Sequence, residues 1–149
     1  MPGELALLAR VALGFLLAFV IGFEREVRGS PAGDRTFALV GTGTAAIAAV
    51  ALRSSPQAVA GAITGIGFLG AGVVFHGEGG LVRGLTTAAA IFATAAIGLV
   101  VGSGRLILGT LTTALVLVAL ELRYIPGIRL LDGRRYASLF RSDGDPPMT

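Results

Sequence analysis

Gly61–Thr87 reads GAITGIGFLGAGVVFHGEGGLVRGLTT. Through Phe75 it is apolar enough to cross a bilayer, yet it carries Gly61, Gly65, Gly67, Gly70 and Gly72. In water each glycine would cost an isolated helix roughly 1 kcal/mol relative to alanine. Lipid changes the balance, because backbone N–H and C=O groups find no partner there except within the helix, which therefore holds whatever its propensity. Bare backbone then becomes a packing device: Gly61 and Gly65 form a small-xxx-small pair, and the remaining glycines spread around the helix. This stretch is expected to be the central, helix-packing element of a transmembrane bundle.

The rest of the chain agrees with a lipid solvent. Of 149 residues, 54% are hydrophobic and 14% charged, with a mean hydropathy of +0.82; a soluble domain carries about 25% charged residues. All twelve basic residues are arginine. They lie between apolar segments and after the last one, which argues for membrane topology over nucleic-acid binding. The lack of cysteine excludes a disulfide framework and a thiolate metal site.

Working outward, five apolar spans are predicted at about 5–23, 36–52, 57–75, 86–101 and 106–122, an all-α polytopic bundle within a transmembrane domain of residues 1–123. Residues 124–149 are expected to form a short, partly disordered cytoplasmic tail. The first span is read as retained, because Glu4 stands where a signal peptide has a basic leader. Arg25, Arg28, Arg35, Arg83, Arg123, Arg129, Arg134, Arg135 and Arg141 fall on one side of this arrangement, against Arg53 and Arg105 on the other. The positive-inside tendency then puts the N-terminus outside and the C-terminus in the cytoplasm. The first two spans and the next two also form hairpins of the same sense, their tips FERE…Arg35-Thr36 and FHGEGG…Arg83…Thr86-Thr87, which is read either as a parallel repeat or, in preference, as coincidence in a low-complexity membrane sequence.

Three stretches, Ile21–Gly43, Gly61–Phe75 and Val82–Gly104, together resemble the MgtC/SapB family of bacterial inner-membrane proteins over about residues 5–120. The resemblance implies four or five spans and, in some members, growth at low magnesium and survival inside host cells. It implies a regulatory action on other membrane machinery, the ATP synthase included, in preference to direct Mg²⁺ transport. Two departures stand out. Many relatives have an acidic residue before the third span, where this sequence has RSSPQAVAG. Longer members add an ACT-like cytoplasmic domain after the last span, a segment for which Tyr124–Thr149 is too short.

Candidate site residues gather at the cytoplasmic mouth. Glu24, Arg25 and Glu26 are read either as a cation or ligand site or as an interfacial charge cluster. Arg35 and Arg83, each ahead of a threonine-bearing helix start, are read either as anion ligands acting with helix N-termini or as topology signals. Thr86 and Thr87, with Thr42 and Thr44, line a polar path or bond to backbone. His76 stands alone, without the partners a transition metal requires. Arg10 lies about 21 Å of helix from Glu24 and shares its face, so either both point inward, with Glu24 close to Arg35 or Arg83 and a polar cavity opening there, or Arg10 alone snorkels to the interface. No catalytic residue, cofactor or metal site is expected. The expected partners are the bilayer, a second copy in a homo-oligomer (a dimer foremost) and another membrane protein, without nucleic acid. Regulation through such contacts and transport of Mg²⁺ or another small ion stand as the two functional readings.

Overall fold

Apolar composition and helix-stopping glycines divide the chain where the structure does. The computed structural model describes residues 3–52, 54–76 and 82–122, excluding the side chains of 75, 76 and 82. Its helices are α1 (Glu4–Val27), α2 (Asp34–Ala51), α3 (Pro56–Val73), α4 (Leu85–Gly102) and α5 (Leu106–Glu121). Between α3 and α4, the two-residue strands β1 (Phe75–His76) and β2 (Val82–Arg83) pair antiparallel, with Phe75 opposite Arg83. The tail expected at 124–149 and Arg53 lie outside the described residues, as does most of the turn after His76.

Two helix ends follow one rule. At the end of α1, Gly29 has φ +68°, its N–H bonds Glu26 O at 3.0 Å, and the N–H of Ser30 bonds Arg25 O at 3.0 Å. At the end of α4, Gly104 has φ +95°, with Gly104 N–H on Val101 O and Arg105 N–H on Val100 O. This double hydrogen bond is the Schellman stop, and its left-handed position is cheap only for glycine. It also explains why α1 runs four residues beyond the apolar segment ending at Phe23: nothing in Glu24–Val27 breaks a helix, and the first stop signal is Gly29.

The five helices form an all-α bundle, and Glu4–Val27, Pro56–Val73 and Leu85–Gly102 are each long and apolar enough to cross a membrane. Large apolar side chains face outward, Phe68 being 81% exposed and Ile107 78%. Lipid imposes no cost on such an exterior. Inside, Ile21, Phe37, Val40, Ile66, Ile91, Ile97 and Val101 form the core.

The centre of the bundle is not the expected one. Half of α4 is buried against 6% of α3, whose one buried residue is Ile66. A Cβ built on Gly61, Gly65, Gly67 or Gly72 meets nothing within 4 Å, and one on Gly70 reaches Ala88 at only 3.7 Å. Glycine allows close approach without producing it. The glycines that pack are those in phase with small residues on a neighbour. On α1, Gly14, Ala18 and Gly22 recur every fourth residue; a Cβ on Gly14 would lie 2.7 Å from Ala45 Cβ, and one on Gly22 would lie 2.7 Å from Asp34 Cα and Phe37 Cβ. On α4, Gly98 abuts the Thr44 hydroxyl and the Gly41 carbonyl, and Gly102 abuts the Ala45 backbone. These contacts make α1 and α2 antiparallel, α2 and α4 parallel, and α2 and α4 the centre, with α3 at the edge. Gly109 of α5 rests on Val101 from the remaining side.

Gly98→Ala should lower stability by about 1–3 kcal/mol, the usual range for overpacking, read as a lower unfolding temperature of the purified protein. Gly65→Ala, whose methyl meets open space, should leave that temperature unchanged or raise it. Equal losses at the two positions would contradict this packing.

Candidate functional site

Antiparallel packing brings the C-termini of α1, α3 and α5 and the N-termini of α2 and α4 to one end of the bundle, and most of the candidate charges go with them. The dipole of each helix makes its C-terminus a poor place for a carboxylate, yet Glu24 lies in the last turn of α1 and Glu121 ends α5. Arginines offset both. The Arg25 guanidinium bonds both oxygens of Glu24, with the two side chains only 10% and 11% exposed. Arg28, one turn along, has its Nε 3.6 Å from Glu24 Oε1. Its Nη2 donates to Glu121 Oε1 at 2.8 Å and to Oε2 at 2.7 Å. Two acids and two bases thus form a neutral cluster that ties α1 to α5. This corrects the expected pairing of Glu24 with Arg35 or Arg83: arginines of its own helix already occupy both carboxylate oxygens.

Glu26 turns the other way. Its carboxylate lies over Gly33 so closely that a side chain at 33 would collide with it. Gly33 caps α2 without a side-chain hydrogen bond, so Glu26 supplies negative charge at that N-terminus, as Asp34 does from the first turn. Glu26, Gly33, Asp34, Arg35 and Thr36 line an open depression of about 420 Å³, and Asp34 Oδ1 accepts the Arg35 backbone N–H at 2.6 Å. The cavity expected beside Glu24 therefore opens beside Glu26. Among the described residues no three of His, Cys, Asp and Glu converge as a metal set.

The structure separates the other candidates. Arg35 and Arg83 are both exposed, and neither enters an ion pair among the described residues. Thr86 is exposed, whereas Thr87 is 4% exposed and its hydroxyl lies 2.8 Å from that of Ser30, fixing the first loop to the start of α4. Arg10 stands at the opposite end of the bundle. Its Nη1 donates to Gly102 O at 3.5 Å, and its guanidinium lies against Gly104, where a Cβ would approach to 3.1 Å. Arg10 is thus the positive group at the C-terminus of α4, and the inward polar face shared with Glu24 is not formed. Sequence reasoning used Arg28 only as a topology signal and passed over Ser30 and Glu121. Arg28 and Glu121 are 93 residues apart, so no local spacing could have joined them.

An apolar exterior, helices of membrane-crossing length and an ion-paired end define an α-helical membrane protein. A model of the MgtC family matches residues 11–125, and the chain belongs to the MgtC family. It is 42% identical to "Protein MgtC" of Brucella abortus over 129 residues, covering 83% of this chain and 53% of that protein. It is 35% identical to a Haemophilus influenzae protein over 135 residues, with coverage of 81% and 57%. It is also 35% identical to the Escherichia coli K12 protein named "Putative magnesium transporter YhiD" over 149 residues, with coverage of 91% and 69%. The chain thus spans about half the length of the first two relatives. No solved structure matches it.

The Arg28–Glu121 pair is partly exposed, its side chains at 32% and 26%, so a double-mutant cycle with Arg28→Ala and Glu121→Ala should return a coupling of about 0.5–1 kcal/mol. The charge-swapped pair Arg28→Glu, Glu121→Arg should recover less than the full value, because Glu24 also faces position 28. A coupling of zero would show that the pair does not hold α5 to α1.

Proposed function

We propose that the protein is a regulatory integral protein of the bacterial inner membrane, linked to magnesium homeostasis or low-magnesium adaptation and acting through contacts with other membrane proteins. The observation that carries this reading is α3. A helix that gives up side chains at Gly61, Gly65, Gly67 and Gly72 and leaves all four positions open presents bare backbone to whatever helix lies beside it in the bilayer. In this reading five spans cross the membrane, the charged end is cytoplasmic, the N-terminus lies outside, and the chain works as a homo-oligomer, a dimer foremost. Catalysis, cofactors and nucleic acid have no part in it. The magnesium link rests on family membership and on the name of the Escherichia coli relative.

That name and the depression lined by Glu26, Asp34 and Arg35 favour a second reading, transport of Mg²⁺ or another small cation. Proteoliposomes separate the two. The regulatory reading expects no Mg²⁺ flux above that of protein-free vesicles, and a defined membrane protein that co-purifies and is lost in a Gly61→Leu, Gly65→Leu variant. Selective flux abolished by Glu26→Gln would establish transport in its place. The oligomeric mass of the same double variant should fall while the chain still folds, because neither position packs within it. An unchanged mass would remove α3 from the subunit contact.

A further inference from the structure

Threonine in a membrane helix ordinarily turns its hydroxyl onto the carbonyl one turn back, because lipid offers no other acceptor. This chain follows the habit closely. Thr42 bonds Ala38 O, Thr44 Val40 O, Thr64 Ala60 O, Thr110 Leu106 O, Thr112 Leu108 O and Thr113 Gly109 O, all at 2.7–3.0 Å. Lipid-exposed Thr64 and buried Thr113 behave alike, so burial does not set the choice. Thr94, in the middle of α4, departs from it. The residue is 0% exposed, and its Oγ1 is buried with no hydrogen-bond partner among the described residues. A buried hydroxyl left unpaired loses its full desolvation energy, and a turn about χ1 would bring Ala90 O within reach. A hydroxyl held away from that acceptor marks a place where a second polar group belongs.

We infer that Thr94 holds a buried water molecule at the middle of α4. An acceptor such a water needs is at hand: helix carbonyls carry a second lone pair, and that of Ala90 lies one turn back from the Thr94 hydroxyl. A water with two to four polar partners is the usual occupant of such a position. Thr87 lies seven residues before Thr94 and so on the same face of α4, with its hydroxyl on that of Ser30; this row of hydroxyls leads from the charged end toward the site. Beyond Thr94 the α2–α4 seam closes, since Gly98 and Gly102 rest directly on backbone and Arg10 covers the last turn. The wet position therefore ends inside the bundle. It is independent of whether the protein regulates or transports.

X-ray radiolytic footprinting of the full chain in nanodiscs tests this, since radiolysis of a bound water oxidises side chains beside it even when they are buried. Ile91 and Ile97 flank Thr94 and are 1% and 0% exposed; Val101, also 0% exposed, lies in the closed half and serves as the dry control. Oxidation of Ile91 or Ile97 should run several-fold faster than that of Val101. Thr94→Val, an isosteric change, should abolish the excess and lower the unfolding temperature by a few degrees. Oxidation of both isoleucines no faster than of Val101, or a Thr94→Val protein as stable as the native one, overturns the inference. Should that variant not fold, the native footprint decides alone.

Discussion

Everything in this bundle depends on the backbone of α2 between Gly41 and Ala45 being touched from two sides. From one side α1 brings Gly14, and from the other α4 brings Gly98 and Gly102. In lipid the hydrophobic effect does not press helices together, because acyl chains are as apolar as leucine. Association rests on van der Waals contact and on the polar groups that close approach brings into range. A Cβ on any of these glycines would force the axes apart and weaken each dispersion contact along the seam. Close approach also brings Cα–H groups onto carbonyls such as Gly41 O and Ala45 O, a weak but repeated attraction.

With the axes fixed, the placement of charge follows from the dipoles. Carboxylates at helix N-termini stabilise, as Glu26 and Asp34 do beside α2, and arginines at C-termini do the same, as Arg10 does on α4. Glu24 and Glu121 sit at the unfavourable ends of α1 and α5, and these are the two carboxylates that arginines hold in a shared cluster. Glu24 and Glu26 both lie in the last turn of α1 and differ in where their carboxylates reach, Glu24 to the arginines of its own helix end and Glu26 across to the start of α2 at Gly33. Glu24 is consumed by structure, and Glu26, over an open depression, keeps the freer carboxylate.

Hydropathy made the all-α class and the approximate helices legible in the sequence, and the glycines at 29 and 104 mark ends that could have been read from the Schellman pattern. Which helices touch was not legible from glycine density. Gly61 and Gly65 satisfy the same small-xxx-small spacing as Gly14 and Ala18, or as Gly98 and Gly102. What distinguishes them is whether a neighbour offers small residues at matching heights, a property of two helices at once. Residues of the candidate site were legible as a charged end but not as pairs. Arg25 and Glu24 are adjacent, and neighbours one apart on a helix do not normally face each other. Arg28 meets Glu121 only because the whole bundle intervenes between them.

The internal repeat shows how far context outweighs local sequence. GFLLA at residues 14–18 returns as GFLGA at 67–71, and TAAIA at 44–48 returns as TAAIG at 94–98. Were local sequence decisive, Gly67 would press on Ala95 as Gly14 presses on Ala45. Gly67 meets nothing, although Ala95 is 4% exposed and therefore covered by other parts of the bundle. The cause is the order of contact: α1 packs on α2 and also on α4, and α2 lies along the Gly98–Gly102 side of α4. That leaves α3 to meet α4 where Gly70 faces Ala88. Two hairpins of related sequence thus form one tight pair and one loose pair, and the glycines that the loose pair leaves uncovered are free to serve a helix from outside the chain.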